Sequence, residues 1–141
     1  MDHYRMVTSL EPDQIDNLMA LYASVWWATR RRRAEVETML ASTDLVVGLV
    51  DDGGRLVAFA RVLTDETYVA LLLDVIVAES RRGESLGRAL IDAVLSQPRL
   101  GPVHSIEVVC QPDLVAFYER WGFTTDVGRS MLMRRTIDTA L

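Results

Sequence analysis

One short stretch of the chain concentrates the side chains that can do chemistry: Asp74-Val75-Ile76-Val77-Ala78-Glu79-Ser80-Arg81-Arg82-Gly83-Glu84-Ser85-Leu86-Gly87-Arg88. An apolar strand ends, a loop with glycine and arginines follows, and an amphipathic helix begins. The first N–H groups of a helix have no internal partners and its dipole favours negative charge, so this junction is built to cradle an anion. Arg81, Arg82 and Arg88 add positive charge, and Gly83 permits close approach of a ligand to the backbone. The loop lacks the Gly-Lys-Ser/Thr ending of a nucleoside triphosphate loop and the Gly-x-Gly-x-x-Gly fingerprint of a dinucleotide site. On these residues alone, an ordinary tight strand-to-helix loop stays open beside the anion site. Asp74 is the one charge in its apolar strand, where a carboxylate needs a partner or a purpose.

Other reactive residue types are sparse. Cys110 is the single cysteine; it reads as a small buried residue, because a nucleophilic role calls for a base and no histidine lies near it in sequence. One cysteine and two histidines, His3 and His104, allow no internal disulfide and no ordinary structural zinc site, so no metal is expected. The run Arg30-Arg31-Arg32-Arg33 reads as a solvated basic turn, with attraction of an acidic ligand as the alternative.

The elements that position these residues follow from composition and periodicity. The 141 residues amount to 15.9 kDa, one domain over 1–141 that is long enough to bury a core. Half the residues are hydrophobic and a quarter charged, a globular mixture, and the net charge of −5 argues against a nucleic-acid binder. No basic region leads into an apolar stretch at the N-terminus, and apolar runs such as Val69 to Leu73 fall far short of the roughly 20 residues that span a bilayer. Cytoplasmic residence, with no membrane partner, is the expectation.

Tyr4 to Thr8 suits a first strand. Ile15, Leu18, Met19 and Tyr22 share one helical face after Pro12, which fits a first helical position. A short helix from about Ala34 to Leu40 precedes a hairpin, Leu45 to Val50 and Leu56 to Leu63, turned by Asp51-Asp52-Gly53-Gly54. Tyr68 to Ala78 is a strand covered on both faces. A helix from near Ser85 presents Leu86, Ala89, Leu90, Ala93 and Val94. His104 to Cys110 is a strand, and a helix from about Asp113 carries Leu114, Phe117, Tyr118 and Trp121 before a left-handed stop at Gly122. A last strand around Ser130 to Arg135 closes the chain. This order predicts an α/β or α+β layer with helices on both faces.

The stretch Arg82-Gly83-Glu84-Ser85-Leu86-Gly87, after Val75 and Val77, resembles the Gln/Arg-x-x-Gly-x-Gly/Ala motif of the GCN5-related N-acetyltransferase (GNAT) superfamily. The family's second signature stands intact as Phe117-Tyr118-Glu119-Arg120-Trp121-Gly122-Phe123. Two motifs in the right order are far more specific than either alone, and the resemblance covers about Leu45 to Arg135. Ser85 stands where a middle glycine is usual, Glu79 where proline is usual, and Gln111 where an asparagine often sits.

The resemblance implies a GNAT fold, a mixed and mostly antiparallel sheet splayed between two parallel strands. It also implies an acetyl-CoA-dependent N-acetyltransferase that moves an acetyl group to a primary amine, on a small molecule or an exposed protein site, by direct attack in a ternary complex. The coenzyme's pyrophosphate would lie on the amides from Arg82 through Arg88, including Gly83, Glu84, Ser85, Leu86 and Gly87. Its pantetheine arm would pair with Val75 and Val77 as an added strand, and the amide of Val75 or Ile76 would face the oxyanion. Tyr118 matches the tyrosine that the family often uses as general acid; a packed aromatic with a satisfied hydroxyl is the other reading. Asp74 is a base through water, a holder of an ammonium group, or a structural partner of an arginine or a backbone amide. Trp26 and Trp27 fall where the family covers its acceptor. Adjacent helical residues point about 100° apart, so one packs in the core while the other lines the acceptor pocket, or both serve packing. Homodimerisation stays open, and the alternative function is a non-catalytic module that binds an acyl-CoA or a partner protein.

Overall fold

The computed structural model describes residues 3–137. The chain divides after Val108 into two compact units. The first holds β1 (Tyr4–Val7), α1 (Pro12–Ala23), α2 (Arg33–Ser42), β2 (Leu45–Asp51), β3 (Leu56–Thr64), β4 (Val69–Val77), α3 (Leu86–Leu95) and β5 (Ser105–Val108). Its five strands lie in sequence order in one sheet, antiparallel from β1 to β4 and parallel between β4 and β5. This is the mixed α/β layer that the order of elements predicts.

Alternation along the strands assigns the two faces. Val46, Val50 and Phe59 join Leu18, Leu21 and Tyr22 of α1 and Val36 of α2 in one buried cluster. The intervening Val47, Leu49, Ala58 and Ala60 are also buried and point to the opposite face, where α3 buries Leu86, Leu90, Ile91 and Val94. Ala89 is exposed and Ile91 takes its place in the buried stripe of α3. Pro12 opens α1, and the Glu11 N–H donates to Gln14 Oε1 at 2.9 Å, which satisfies one donor that the helix leaves over.

Two irregularities position the site. Phe59 pairs with Ile76 and Arg61 with Leu73, so Ala60 faces both Asp74 and Val75 across a bulge in β4. Asp74 there has φ +54°, a left-handed conformation that aspartate tolerates better than most residues. On its other side β4 pairs with β5 only from Val69 to Leu72, because β5 ends at Val108. The sheet is therefore splayed beyond Leu72, as the resemblance implies.

The second unit carries a 3-10 turn at Pro112–Leu114 that leads into α4 (Val115–Glu119). Phe117 stacks edge-on against Tyr118 and Trp121, and Tyr118 against Phe123, with centroids 5.0–5.7 Å apart. Gly122 closes the helix with φ +87°, the left-handed stop expected there. The expected strand around Ser130 to Arg135 does not form. Residues 131–136 take no regular structure, and Met131, Leu132 and Met133 are all exposed. A strand needs a neighbouring edge for its backbone donors and acceptors, and no strand pairs with this segment among the described residues.

Candidate functional site

Ala78 N–H donates to Val57 O at 2.8 Å. In an antiparallel ladder, alternate residues point their amides the same way, so Ile76 faces β3 as Ala78 does. Val77 then directs its N–H and C=O groups to the side where β5 has already ended, while Val75 lies in the bulge, where the alternation is interrupted. Of the two amides considered for an oxyanion, that of Ile76 is turned toward β3.

The loop after β4 folds into a 3-10 turn at Glu79–Arg81, followed by two left-handed residues, Gly83 (φ +88°) and Ser85 (φ +62°). Nothing lies within 4 Å of a Cβ built on Gly83, so what glycine supplies there is backbone freedom. Ser85 precedes α3 without a side-chain cap, and the first helical bond runs from Ala89 N–H to Ser85 O. The amides of Leu86, Gly87 and Arg88 therefore have no partner inside the helix. Arg82 and Arg88 are exposed beside them. Arg81 and Glu84 do something else: Arg81 Nε pairs with Glu84 at 3.1 Å, its guanidinium lies over the Tyr4 ring, and Tyr4 donates to Glu84 at 2.9 Å. These two side chains fasten the loop to β1. A concave surface of about 360 Å³ beside β1 is lined by His3, Tyr4, Arg5, Asp51 and Asp52, a mixture of both signs of charge.

Asp74 is a hub. Its Oδ2 accepts from Tyr22 Oη at 2.9 Å, from Arg61 Nε at 2.7 Å and from Arg31 Nη1 at 2.5 Å, while Oδ1 accepts from Arg31 Nη2 at 3.2 Å. Its side chain is only 5% exposed. Burial alone would raise its pKa, but the hydrogen bonds from Arg31 and Arg61 hold it below the ordinary aspartate value. Tyr22 is pushed the other way, by burial and then by the Asp74 charge. Of the roles open for Asp74, these bonds realise the structural partner of an arginine.

Arg31 also stacks on the rings of Tyr22 (4.6 Å) and Trp27 (5.4 Å). Trp27 packs against the core cluster, whereas Trp26 is 65% exposed. Arg30 and Arg32 are exposed, as a solvated basic turn requires, but Arg31 and Arg33 are drawn into specific ion pairs. Arg31 reaches into the sheet, Arg32 pairs with Glu35, and Arg33 with Asp16 and Glu37, because the turn lies within reach of acidic side chains on both flanking helices. Sequence reasoning also passed over Arg61. The signal was present: β3 reads Leu-Val-Ala-Phe-Ala-Arg-Val-Leu-Thr, a lone charge in a buried strand that pairs with the strand of the lone Asp74.

In the second unit the Tyr118 ring is buried, and its hydroxyl makes no hydrogen bond among the described residues. Burial and the neighbouring Cys110 push its pKa up to about 12. Burial likewise raises the Cys110 thiol, with Asp113 adding to it, which disfavours the nucleophilic thiolate. Among the described residues no group of acidic, cysteine or histidine side chains is arranged to hold a metal, and no helix is long and apolar enough to cross a membrane.

Comparison with known proteins gives this geometry a setting. The profile of an acetyltransferase (GNAT) domain matches residues 9–135. An uncharacterised N-acetyltransferase of Pyropia yezoensis is 30% identical over 77% of the chain and 64% of its own length. Serotonin N-acetyltransferase 2, a chloroplastic protein of Oryza sativa subsp. japonica, is 35% identical over 69% of the chain and 50% of its own. The chain thus matches about half to two thirds of the length of these curated relatives. A crystal structure assigned to the GNAT family from Xanthomonas campestris pv. campestris shares 32% identity and superimposes with a TM-score of 0.83, covering 97% of this chain and 95% of that one.

Proposed function

From the premise that the chain belongs to the GNAT acetyltransferase family, we propose that it is an acetyl-CoA-dependent N-acetyltransferase acting on a primary amine by direct attack in a ternary complex. The observation that carries this reading is the open edge of β4 at Val75 and Val77, followed in the chain by the unpartnered amides of Leu86, Gly87 and Arg88. The edge suits an extended amide-bearing arm, and the amides suit phosphate oxygens. We propose one domain over residues 1–141, a reading supported by a single family profile that runs through both compact units.

When bound, acetyl-CoA supplies an activated acetyl thioester. The backbone of Val75 and Val77 holds the arm, and the amides from Arg82 through Arg88, Gly83, Glu84, Ser85, Leu86 and Gly87 among them, hold the phosphates with Arg82 and Arg88. The Val75 N–H stabilises developing negative charge on the carbonyl oxygen. Tyr118, still protonated at neutral pH, would donate its proton to the leaving sulfur when the C–S bond breaks after the amine has added to the carbonyl, and would regain a proton from solvent. The proton lost by the amine goes to solvent. Asp74 is a positioning residue in this scheme, because its depressed basicity and its four bonds to Tyr22, Arg31 and Arg61 leave it a poor proton acceptor. Trp26, exposed in the turn after α1, contacts the acceptor, and Trp27 holds that turn in place.

Calorimetric titration with acetyl-CoA, beside ATP and a Gly87→Trp variant, tests the cradle. Binding of acetyl-CoA alone, lost in the variant, supports it, and release of free thiol with an amine then shows turnover. Binding without thiol release across an amine panel would mean a non-catalytic acyl-CoA module. Serotonin belongs in that panel because of the rice relative. Cytoplasmic residence and homodimerisation belong to the same proposal. The rice relative is chloroplastic, so cell fractionation decides the first, and sedimentation decides the second.

A further inference from the structure

Two guanidinium groups, Arg31 and Arg61, converge on the single carboxylate of Asp74. Tyr22 adds only a neutral hydroxyl, since burial keeps its proton on. The cluster therefore carries one uncompensated positive charge on the α1–α2 face of the sheet. Partly buried charge of this kind is stabilised by a counterion.

The free valence is on Arg61. Its side chain is 13% exposed, and it spends Nε on Asp74 Oδ2 at 2.7 Å. Its Nη1 and Nη2 have no hydrogen-bond partner among the described residues. Among the described residues no buried side-chain nitrogen or oxygen goes without a partner, so these two nitrogens reach solvent rather than being sealed. A guanidinium with both terminal nitrogens open is a fork that fits two oxygens of a carboxylate or phosphate. Arg31 differs, because both its Nη atoms are engaged with Asp74 and its face is stacked on Tyr22 and Trp27. Asp74 in turn is occupied by donors, so the cluster repels an ammonium group rather than receiving it. Arg61 pairs with Leu73, next to the bulge at Asp74 and Val75.

We propose that the acceptor amine carries an anionic group, a carboxylate or phosphate, that docks on the terminal nitrogens of Arg61. This rests on the acetyltransferase reading above. It adds a substrate class: amino acids or phosphorylated amines rather than plain amines.

The test compares acceptors in pairs that differ only in the anion: 5-hydroxytryptophan with serotonin, ornithine with putrescine, and glucosamine 6-phosphate with glucosamine. Thiol release gives kcat/KM for each in the wild-type protein, Arg61→Met and Arg61→Lys. The wild type should favour at least one acidic member by about tenfold or more, the worth of one well-made charged pair. The carboxylate and phosphate pairs tell the two sources apart. Arg61→Met should bring the ratio close to one, and Arg61→Lys should restore part of it. Acetyl-CoA affinity, measured separately, should stay unchanged in both variants. If Arg61→Met fails to fold, a wild-type ratio that survives intact in Arg61→Lys and in high salt overturns the proposal. Equal or better use of the neutral members by the wild type overturns it as well, as does acetyl-CoA binding with no turnover of any acidic acceptor. Failure of acetyl-CoA to bind would instead remove the underlying reading.

Discussion

Tyr22 Oη donates to Asp74 Oδ2 at 2.9 Å, which ties the buried face of α1 to the bulge of β4. The same oxygen holds Arg61 from β3 and Arg31 from the turn before α2. One carboxylate thus joins two neighbouring strands, a helix and the turn that follows it. It also holds the bulge residue in its left-handed conformation, which costs about 1–2 kcal/mol.

Removing that carboxylate leaves two guanidiniums without their anion. Asp74→Ala should lower the unfolding free energy by about 3 kcal/mol, the low end for a broken buried pair because Arg31 is partly exposed. The pH dependence has a definite sign. The folded pKa lies below the ordinary 3.8, so Asp74 stabilises the fold at pH above that value and loses its contribution as pH falls toward the folded pKa. Urea unfolding of wild type and Asp74→Asn should differ by a constant amount above about pH 5 and converge below about pH 4. A difference that grows on acidification would be the wrong sign.

Tyr118 offers a sharper separation of chemistry from stability. Its hydroxyl makes no hydrogen bond among the described residues, so Tyr118→Phe removes no bond from the fold and should leave stability within about 0.5 kcal/mol. If the hydroxyl protonates the leaving thiolate, kcat should drop by about a hundredfold. With its pKa pushed up to about 12, no tyrosine ionisation should show in the rate profile between about pH 6 and pH 10. Unchanged turnover in Tyr118→Phe would return this residue to packing.

The loop before α3 has two left-handed residues that respond in opposite directions. Gly83→Ala adds a Cβ that meets nothing but forces φ +88° on an L-residue, so stability should fall by about 1 kcal/mol and acetyl-CoA should bind more weakly. Ser85→Gly relieves the same strain at φ +62° and should tighten acetyl-CoA binding. Calorimetry on the pair checks both. Parallel effects in the two variants would show that the backbone conformation of this loop does not matter to the ligand.

What was legible in the sequence was whatever rests on local pattern. Pro12 opens α1, the Asp51 to Gly54 turn joins β2 and β3, and Gly122 stops α4, each through constraints that act within a few residues. The loop before α3 stood out through the resemblance of Arg82 to Gly87 to a family motif. The role of Asp74 was not, because its partners lie 13, 43 and 52 residues away and only the fold brings them together. The arginine run was legible only in part for the same reason: Arg30 and Arg32 are exposed as charge density predicts, but Arg31 is drawn to a buried acid distant in sequence. The expected strand near Ser130 had suitable residues but depends on an edge that no local pattern specifies. Ala89 and Ile91 show a finer limit, since both fit a helical stripe and the packing against the sheet chose between them.

Trp26 and Trp27 are adjacent in sequence and should behave oppositely. Trp27 lies against the core cluster with Arg31 over its ring, so Trp27→Ala removes both packing and a cation–π contact. It should cost about 2–3 kcal/mol, below the full value for a buried indole because the side chain is only half buried. Trp26 is 65% exposed, and Trp26→Ala should leave stability within about 0.5 kcal/mol. If Trp26 lines the acceptor site, its removal should raise KM for the amine while acetyl-CoA affinity holds. Unfolding curves and steady-state kinetics on both variants make the comparison. Loss of stability in Trp26→Ala, or acceptor kinetics unchanged in it, would remove Trp26 from the acceptor site.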